Sequence, residues 1–239
     1  MTIEVLYPEI ANLYGDLSNV EYLTRCAPDL AVHTTRLADT PLFAEQVPSL
    51  VYLGGTTEAG QALVAERLRP HVARLRQLID DGTPFLVTGN ALEIFGQRIE
   101  EAGKPPLTGL GLFGQWAKRD MIHRHNSLYL GQMTELGEAP VVGFKSQFAM
   151  SYGDPGADPL FTTRRGVGLG PDIPGEGIRC HNFMATYLLG PLLILNPAFT
   201  AYLLKLVGAA DPTLAYADQI WASYRARVAE FQVIQGFSH

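Results

Sequence analysis

The chain has 239 residues, of which 47% are hydrophobic and 18% charged, and carries a formal net charge of −6. That length suits one large α/β domain or two small ones, and the mix is that of a globular chain with a sizeable core. The acidic balance excludes a nucleic-acid partner, which selects a basic surface.

No apolar run reaches the length of a membrane span; residues 187–195 are too few and contain Pro191. Met1-Thr2-Ile3-Glu4-Val5 has no basic segment ahead of an apolar one, so no secretory signal is expected. Two cysteines, Cys26 and Cys180, make neither a disulfide framework nor a metal site. The expectation is a cytoplasmic protein with reduced thiols and no cofactor.

Residues 3–7 read as a first strand, ended by Pro8. A segment rich in turn and cap formers follows, and Ser18 or Asn19 is a candidate cap for a helix over residues 20–27. Residues 31–35 alternate weakly as a second strand. Leu50-Val51-Tyr52-Leu53 is apolar throughout, as in a sheet covered on both faces. It runs into Gly54-Gly55, where the lack of side chains lets backbone N–H groups approach a ligand.

Leu68, Val72, Leu75 and Ile79 recur at helical spacing up to Asp80, with Pro70 as the first residue of a second helix. Arg67, Arg69, Arg74 and Arg76 read as its solvated face. Strand–helix units thus alternate through residue 96, which predicts a parallel sheet with helices on both faces.

The second half has a different texture. Residues 103–114 are rich in Gly and Pro and read as loop, with 110–112 a possible strand. Short strands are predicted over 127–131, 141–144 and 161–168, and one long strand over 178–188. With no linker dividing the halves, these strands are expected to extend the first sheet within a single domain spanning 1–239. A C-terminal helical extension covers about 198–239, with Asp211-Pro212 opening its last helix and residues 231–237 an apolar tail.

The most informative stretch is Phe85-Leu86-Val87-Thr88-Gly89-Asn90, continuing to Gly96. It reads as a buried strand that turns sharply into a short helix. In α/β enzymes this shape is a nucleophile elbow, where a Ser or Cys projects above the sheet from strained backbone. Here Gly89 and Asn90 stand at the turn, and neither can attack a carbonyl. Asn90 is then a helix cap, or Asn90 and Glu93 bind a small amide or amino acid. Cys180 and His181 are adjacent on the predicted long strand, so their side chains point to opposite faces. His123 and His125 share one strand face but have no Asp, Glu or Cys to complete a metal set.

Several stretches together resemble a known family. Leu6-Tyr7-Pro8, then Asn12-Leu13-Tyr14-Gly15-Asp16 and Asn19, are similar to the start of class I glutamine amidotransferase domains of the CobB/CobQ-like group. The GatD-type subunit, which works with a Mur-ligase-like partner, MurT, is the most similar type. Residues 53–61, 109–112, 185–193 and Asn196-Pro197 resemble further family segments, in family order. The resemblance implies a flavodoxin-like three-layer α/β fold and chemistry through a Cys–His pair.

The departures matter more than the matches. Counting back from Gly96, the family's Cys falls on Gly89. Counting from Gly190-Pro191, its His falls on Leu189. A further segment falls on Gly143-Phe144-Lys145-Ser146-Gln147-Phe148, where the family's own polar residues are missing. Its glutamine-binding Arg falls near His123 or Arg124.

Glutamine hydrolysis through a thioester needs a thiolate to attack the amide and a base to move the thiol proton. Backbone donors, at Gly55 and Asn90 here, would hold the oxyanion. Three readings follow. The first is a glutaminase-inactive binding or scaffolding partner of a Mur-ligase-like amide ligase in cell-wall precursor modification. The second is an enzyme with new chemistry from Asn90, Glu93, His123 or Arg124. The third is a small-molecule sensor built on the Gly54-Gly55 and Gly89-Asn90 loops. A closed apolar pocket filled by Leu189 and Phe148 would favour the first over the others.

Overall fold

The computed structural model describes residues 1–209 and 212–233. The first half is built as the hydrophobic pattern dictates. β1 (Thr2–Leu6) leads to α1 (Ser18–Cys26), then β2 (Ala31–Thr35) and β3 (Leu50–Leu53). α2 (Glu58–Leu68) and α3 (Val72–Asp80) follow, and β4 (Phe85–Thr88) closes the half. Every residue of β3 and β4 is buried, as continuous apolar runs in a sheet covered on both faces require. Arg69–His71 form a short 3-10 turn between the helices, so Pro70 sits in that turn rather than opening α3.

The start of α1 departs from the expected capping. Asn19 lies inside the helix, fully buried, and neither it nor Ser18 caps. The Asn12 side-chain oxygen instead accepts from Leu17 N at 3.0 Å. Asn19 donates to the Tyr52 hydroxyl at 3.1 Å and accepts from Leu193 N at 3.0 Å, pinning α1 to the sheet and to the C-terminal helices. Nor are all the arginines of α2 and α3 free on a solvated face. Arg69, Arg74 and Arg76 donate to backbone carbonyls of Thr108, Phe43 and Gly111.

Beyond β4 the chain adds β5 (Arg98–Glu101), β6 (Leu107–Thr108), β7 (Trp116–Arg119), β8 (His125–Gln132) and β9 (Val141–Gln147). β10 (Ala149–Tyr152), β11 (Thr162–Arg165), β12 (Ile178–Cys180) and β13 (Phe183–Thr186) follow. Three helices end the described chain: α4 (Leu192–Leu195), α5 (Pro197–Leu206) and α6 (Ala217–Val233). Asp211 and most of the expected apolar tail lie outside the described residues.

The central sheet runs in the order β12-β13-β4-β3-β1-β2, parallel except at the β12–β13 pair. The pleat sends alternate residues to opposite faces. Val51, Leu53, Phe85, Val87 and Phe183 pack with Leu75 and Leu78 of α3 on one side. Ile3, Val5, Tyr52, Leu86 and Met184 pack with α1 and α5 on the other. The result is a flavodoxin-like three-layer α/β fold.

Two expectations are corrected. The strands of the second half do not all extend this sheet. They form a four-stranded sheet, β10-β7-β5-β6, and a three-stranded one, β11-β8-β9; only β12 and β13 join the first. The long strand over 178–188 is a hairpin, turned at His181 and Asn182, with His181 at φ 52°. Cys180 and His181 therefore are not successive residues of one strand. Asn182 supports the turn by donating to Gly82 O at 2.7 Å. Residues 110–112 are loop, held by Leu110 N on Ile94 O at 2.8 Å and Leu112 N on Phe95 O at 3.0 Å.

Among the described residues, no helix is long and apolar enough to cross a membrane.

Candidate functional site

The carboxyl ends of β3, β4 and β13 lie side by side, because these strands are parallel neighbours. Crevices outside such ends are where open α/β sheets bind ligands. The segments leaving the three strands carry Gly55, Gly89 and Leu189. They meet at a cleft of about 140 Å³. Phe148, Arg119 and Arg124 from the second half complete its walls.

Gly89 follows β4 directly and has φ +62°, the left-handed backbone that an elbow requires. A Cβ added there would lie 3.2 Å from Gly55 Cα and 3.9 Å from Leu189 Cδ2. Residues 89 and 189 thus face each other at the distance of a side-chain pair, but one has no side chain and the other is aliphatic. Leu189 is held by its N–H on Phe144 O at 3.0 Å. Neither Gly89 nor Leu189 carries a side-chain group that can act as nucleophile or as base.

The oxyanion arrangement expected from the sequence is also altered. Gly55 N–H donates to Asp16 Oδ2 at 2.8 Å, so that donor is committed to the protein's own carboxylate. The same oxygen accepts from the Thr88 hydroxyl at 2.8 Å. Asp16 is buried, and burial pushes its carboxyl above the usual range, opposed by the hydrogen bonds from Gly55, Thr88 and Gly190. Tyr52, buried beneath, donates to Asp16 O at 2.8 Å and lies 3.3 Å from Thr88 Oγ1. Asp16 thereby joins the loops after β1 and β3 to the elbow.

Asn90 is neither a helix cap nor a free ligand group. Its Oδ1 accepts from Thr56 N at 2.9 Å, and its Nδ2 donates to Thr56 O at 2.7 Å. Both ends of the amide are used to lock the turn after β4 against the turn after β3. Gly54 does not line the cleft. It is a close-packing position, since a Cβ there would come within 2.6 Å of Ala11 O. Gly55 does line it.

Glu93, on the short 3-10 helix Gly89–Phe95, is the acidic group of the floor. It is 3% exposed. Its Oε2 accepts from Gln61 Nε2 at 3.0 Å, and Gln61 Oε1 accepts in turn from Arg119. Burial pushes the Glu93 carboxyl up to about 7, against the pull of Gln61, Arg119 and Tyr187. Arg119 also pairs with Glu101 at 2.9 Å.

Of His123 and Arg124, the loop that joins β7 to β8 brings only Arg124 to the cleft. His123 precedes β8 rather than sharing a strand face with His125. It is exposed and pairs with Asp120 at 2.8 Å, away from the cleft. Arg124 lines the cleft, its guanidinium 4.3 Å above the Phe148 ring. It makes no ion pair among the described residues. The cleft is therefore of mixed character rather than a closed apolar pocket, with Leu189 and Phe148 in its wall beside Glu93, Arg119 and Arg124.

Lys145 and Glu176 form a second buried group behind this wall. Lys145 Nζ lies 2.5 Å from Glu176 Oε2 and donates to Gly168 O at 2.6 Å and Val167 O at 3.1 Å. Glu176 Oε1 accepts from Tyr187 N at 2.7 Å and Thr186 Oγ1 at 2.8 Å. Asp16, Gln61, Arg119 and Glu176 were not legible as site residues from local pattern. Asp16 and Gln61 do lie in segments that resemble the family. Arg119 and Glu176 carry no such signal.

Residues 2–196 match the CobB/CobQ-like glutamine amidotransferase domain. The lipid II isoglutaminyl synthase (glutamine-hydrolyzing) subunit GatD of Staphylococcus aureus is 26% identical over 207 residues, 86% of this chain and 83% of that protein. The same subunit from Streptococcus pneumoniae is 26% identical over 203 residues, 82% of this chain and 76% of its own length.

Solved structures share the fold. PurLQS from Thermotoga maritima aligns with a TM-score of 0.55 at 13% identity, covering 95% of this chain and 98% of its own. A crystal structure of a glutamine amidotransferase aligns at 0.52 and 15% identity, covering 87% of this chain and 99% of its own. The chain belongs to the CobB/CobQ-like glutamine amidotransferase domain family.

Proposed function

We propose that this chain is a GatD-like subunit that does not hydrolyse glutamine and that serves an amide ligase as a binding partner. The observation that carries the reading is the Gly89–Leu189 junction. It has the backbone of a nucleophile elbow and a facing residue within 3.9 Å, but no thiol and no imidazole. An acyl-enzyme needs a nucleophile that this junction lacks. The commitment of Gly55 N–H to Asp16 supports the same reading, because an oxyanion would have to displace a carboxylate.

By analogy with the GatD subunits it resembles, the ligase would be Mur-ligase-like and would act on lipid II in the cytoplasm. The whole chain, 1–239, would act there as one unit. Without glutaminase activity, that ligase would draw on free ammonia or another amine. The charged groups in the cleft favour a subunit that also holds a small amide or amino acid, through Arg124 and Glu93, over a purely structural scaffold.

The test is affinity purification of the tagged chain from its native cells, with ammonia release from glutamine measured on the eluate. Co-purification of a Mur-ligase-like protein without ammonia release is the expected result. Ammonia release that depends on a residue of this cleft would overturn the reading.

A further inference from the structure

β2 ends the central sheet, and among the described residues no strand pairs with its outer edge. Ala31 to Thr34 are exposed, and Val32 keeps 46% of its surface in solvent. Sheet edges of this kind are ordinarily blunted by a charge, a proline or a bulge. Ala31-Val32-His33-Thr34-Thr35 has no Lys, Arg, Asp, Glu or Pro. Its register with β1 runs without a break from Thr2 opposite Ala31 to Leu6 opposite Thr35.

The direction of its main-chain groups is fixed by the bonds to β1. Ala31 N–H donates to Met1 O at 3.0 Å, and Thr35 O accepts from Tyr7 N at 2.7 Å. Main-chain groups alternate between the two edges of a strand, so those of Ala31, His33 and Thr35 aim at β1 and those of Val32 and Thr34 aim outward. The side chains of Val32 and Thr34 also line a groove of about 240 Å³ against α1, with Val5, Leu17, Val20 and Glu21.

Two outward residues around a central one are self-complementary under a two-fold axis. With His33 facing His33 of a second copy, Val32 of each chain falls opposite Thr34 of the other. Each such pair can exchange two hydrogen bonds, and the groove residues of both copies stay on one face. The flanking charges select the same arrangement. Asp29 and Arg36 stand exposed at opposite ends of the strand, and neither belongs to an ion pair among the described residues. Antiparallel pairing brings Arg36 of each copy to the Asp29 end of the other, whereas parallel pairing would set like beside like.

We infer that β2 is the interface of a homodimer, in which two copies join their six-stranded sheets edge to edge into one continuous sheet. No residue from 29 to 36 lines the cleft, so the pairing does not use it, and the inference does not rest on the proposed loss of glutaminase activity.

The test is sedimentation velocity on the full chain from about 1 to about 100 μM, where a species of twice the chain mass is expected to grow with concentration. Val32→Lys puts a charge on the edge and is expected to weaken the association about ten-fold or more. Arg36→Asp sets two carboxylates together at each end and is expected to weaken it about five-fold. Asp29→Arg combined with Arg36→Asp is expected to restore it.

Oxidation reads the register. In a Cys180→Ser background, His33→Cys brings two thiols to the axis, where facing Cα atoms stand about 4.5 Å apart and a disulfide fits. Ala31→Cys leaves its two thiols about 13 Å apart along the strand and is expected not to cross-link.

A chain that stays monomeric at the highest concentration would overturn the inference. So would a dimer of unchanged strength in Val32→Lys, shown folded by its thermal transition, or a cross-link from Ala31→Cys in preference to His33→Cys. A monomer that loses a co-purifying ligase on Val32→Lys would assign the edge to that partner and would overturn the homodimer as well.

Discussion

At the residue scale, the site is defined by what a side chain can and cannot do in its surroundings. Gly89 keeps the left-handed backbone of an elbow, which costs most other residues about 1–2 kcal/mol. Glu93 stores a cost of its own. Its carboxyl ordinarily titrates near 4.5 and is pushed up to about 7 by burial. Below 4.5 the group is protonated folded and unfolded, and its full contribution is present. Between 4.5 and about 7 only the unfolded chain gives up the proton, so stability falls as pH rises, and it stays lower above 7.

Replacing Glu93 by Gln removes that penalty. The variant is expected to be close to wild type at pH 4.5 and more stable at pH 8, by up to roughly 3 kcal/mol. Denaturant midpoints at the two pH values check this. An equal effect at both would mean that Glu93 titrates normally in the folded chain.

At the element scale, the loops after β3, β4 and β13 are tied to one another by side chains rather than by further strand pairing. Asn90 spans to Thr56, Asp16 spans Gly55 and Thr88, and Glu176 spans β13 and Lys145 of β9. The last is a buried ion pair, with side chains 2% and 0% exposed. Removing one partner strands the other charge, so Lys145→Ala is expected to destabilise by about 3–5 kcal/mol. Lys145→Met combined with Glu176→Gln leaves no buried charge and is expected to recover part of that loss. Chemical denaturation of the two variants decides it, and a loss below about 1 kcal/mol for Lys145→Ala would show that the pair is not holding the wall of the cleft.

Legibility in the sequence follows the same division. β3 and β4 announce themselves because each is a short, wholly apolar run in a covered sheet. Gly89 announces itself because a turn between such a run and a helix needs small residues. The hairpin at His181-Asn182 was hidden, since the residues around it are apolar enough to read as one strand; the two polar residues at its turn were the only signal. Asp16 was hidden as a site residue for another reason. Its partners lie 39 and 72 residues away, and no local period connects them. Arg124 and His123 could not be separated by motif, because the choice depends on how the loop before β8 is folded over Asp120.

At the scale of the whole molecule, the three-layer frame brings the ends of β3, β4 and β13 together around one cleft, where Gly89 and Leu189 face each other. The frame is held by packing that owes nothing to the site. Phe183 of β13, for example, lies 4.9–5.7 Å from the rings of Phe85, Phe95 and Phe113. Glycine at 89 and leucine at 189 are therefore compatible with the fold and the cleft, as the proposed binding subunit requires. The second half of the chain, with its two extra sheets, contributes Arg119, Arg124 and Phe148 to the wall of the cleft.

The most direct measurement follows the amide nitrogen. Glutamine labelled with ¹⁵N at its side-chain amide would be incubated with the chain and its co-purified ligase, and the label followed by NMR. The label is expected to stay in glutamine while the ligase uses added ammonia. Label appearing in free ammonia or in the ligase product, at a rate that falls when this cleft is altered, would contradict it.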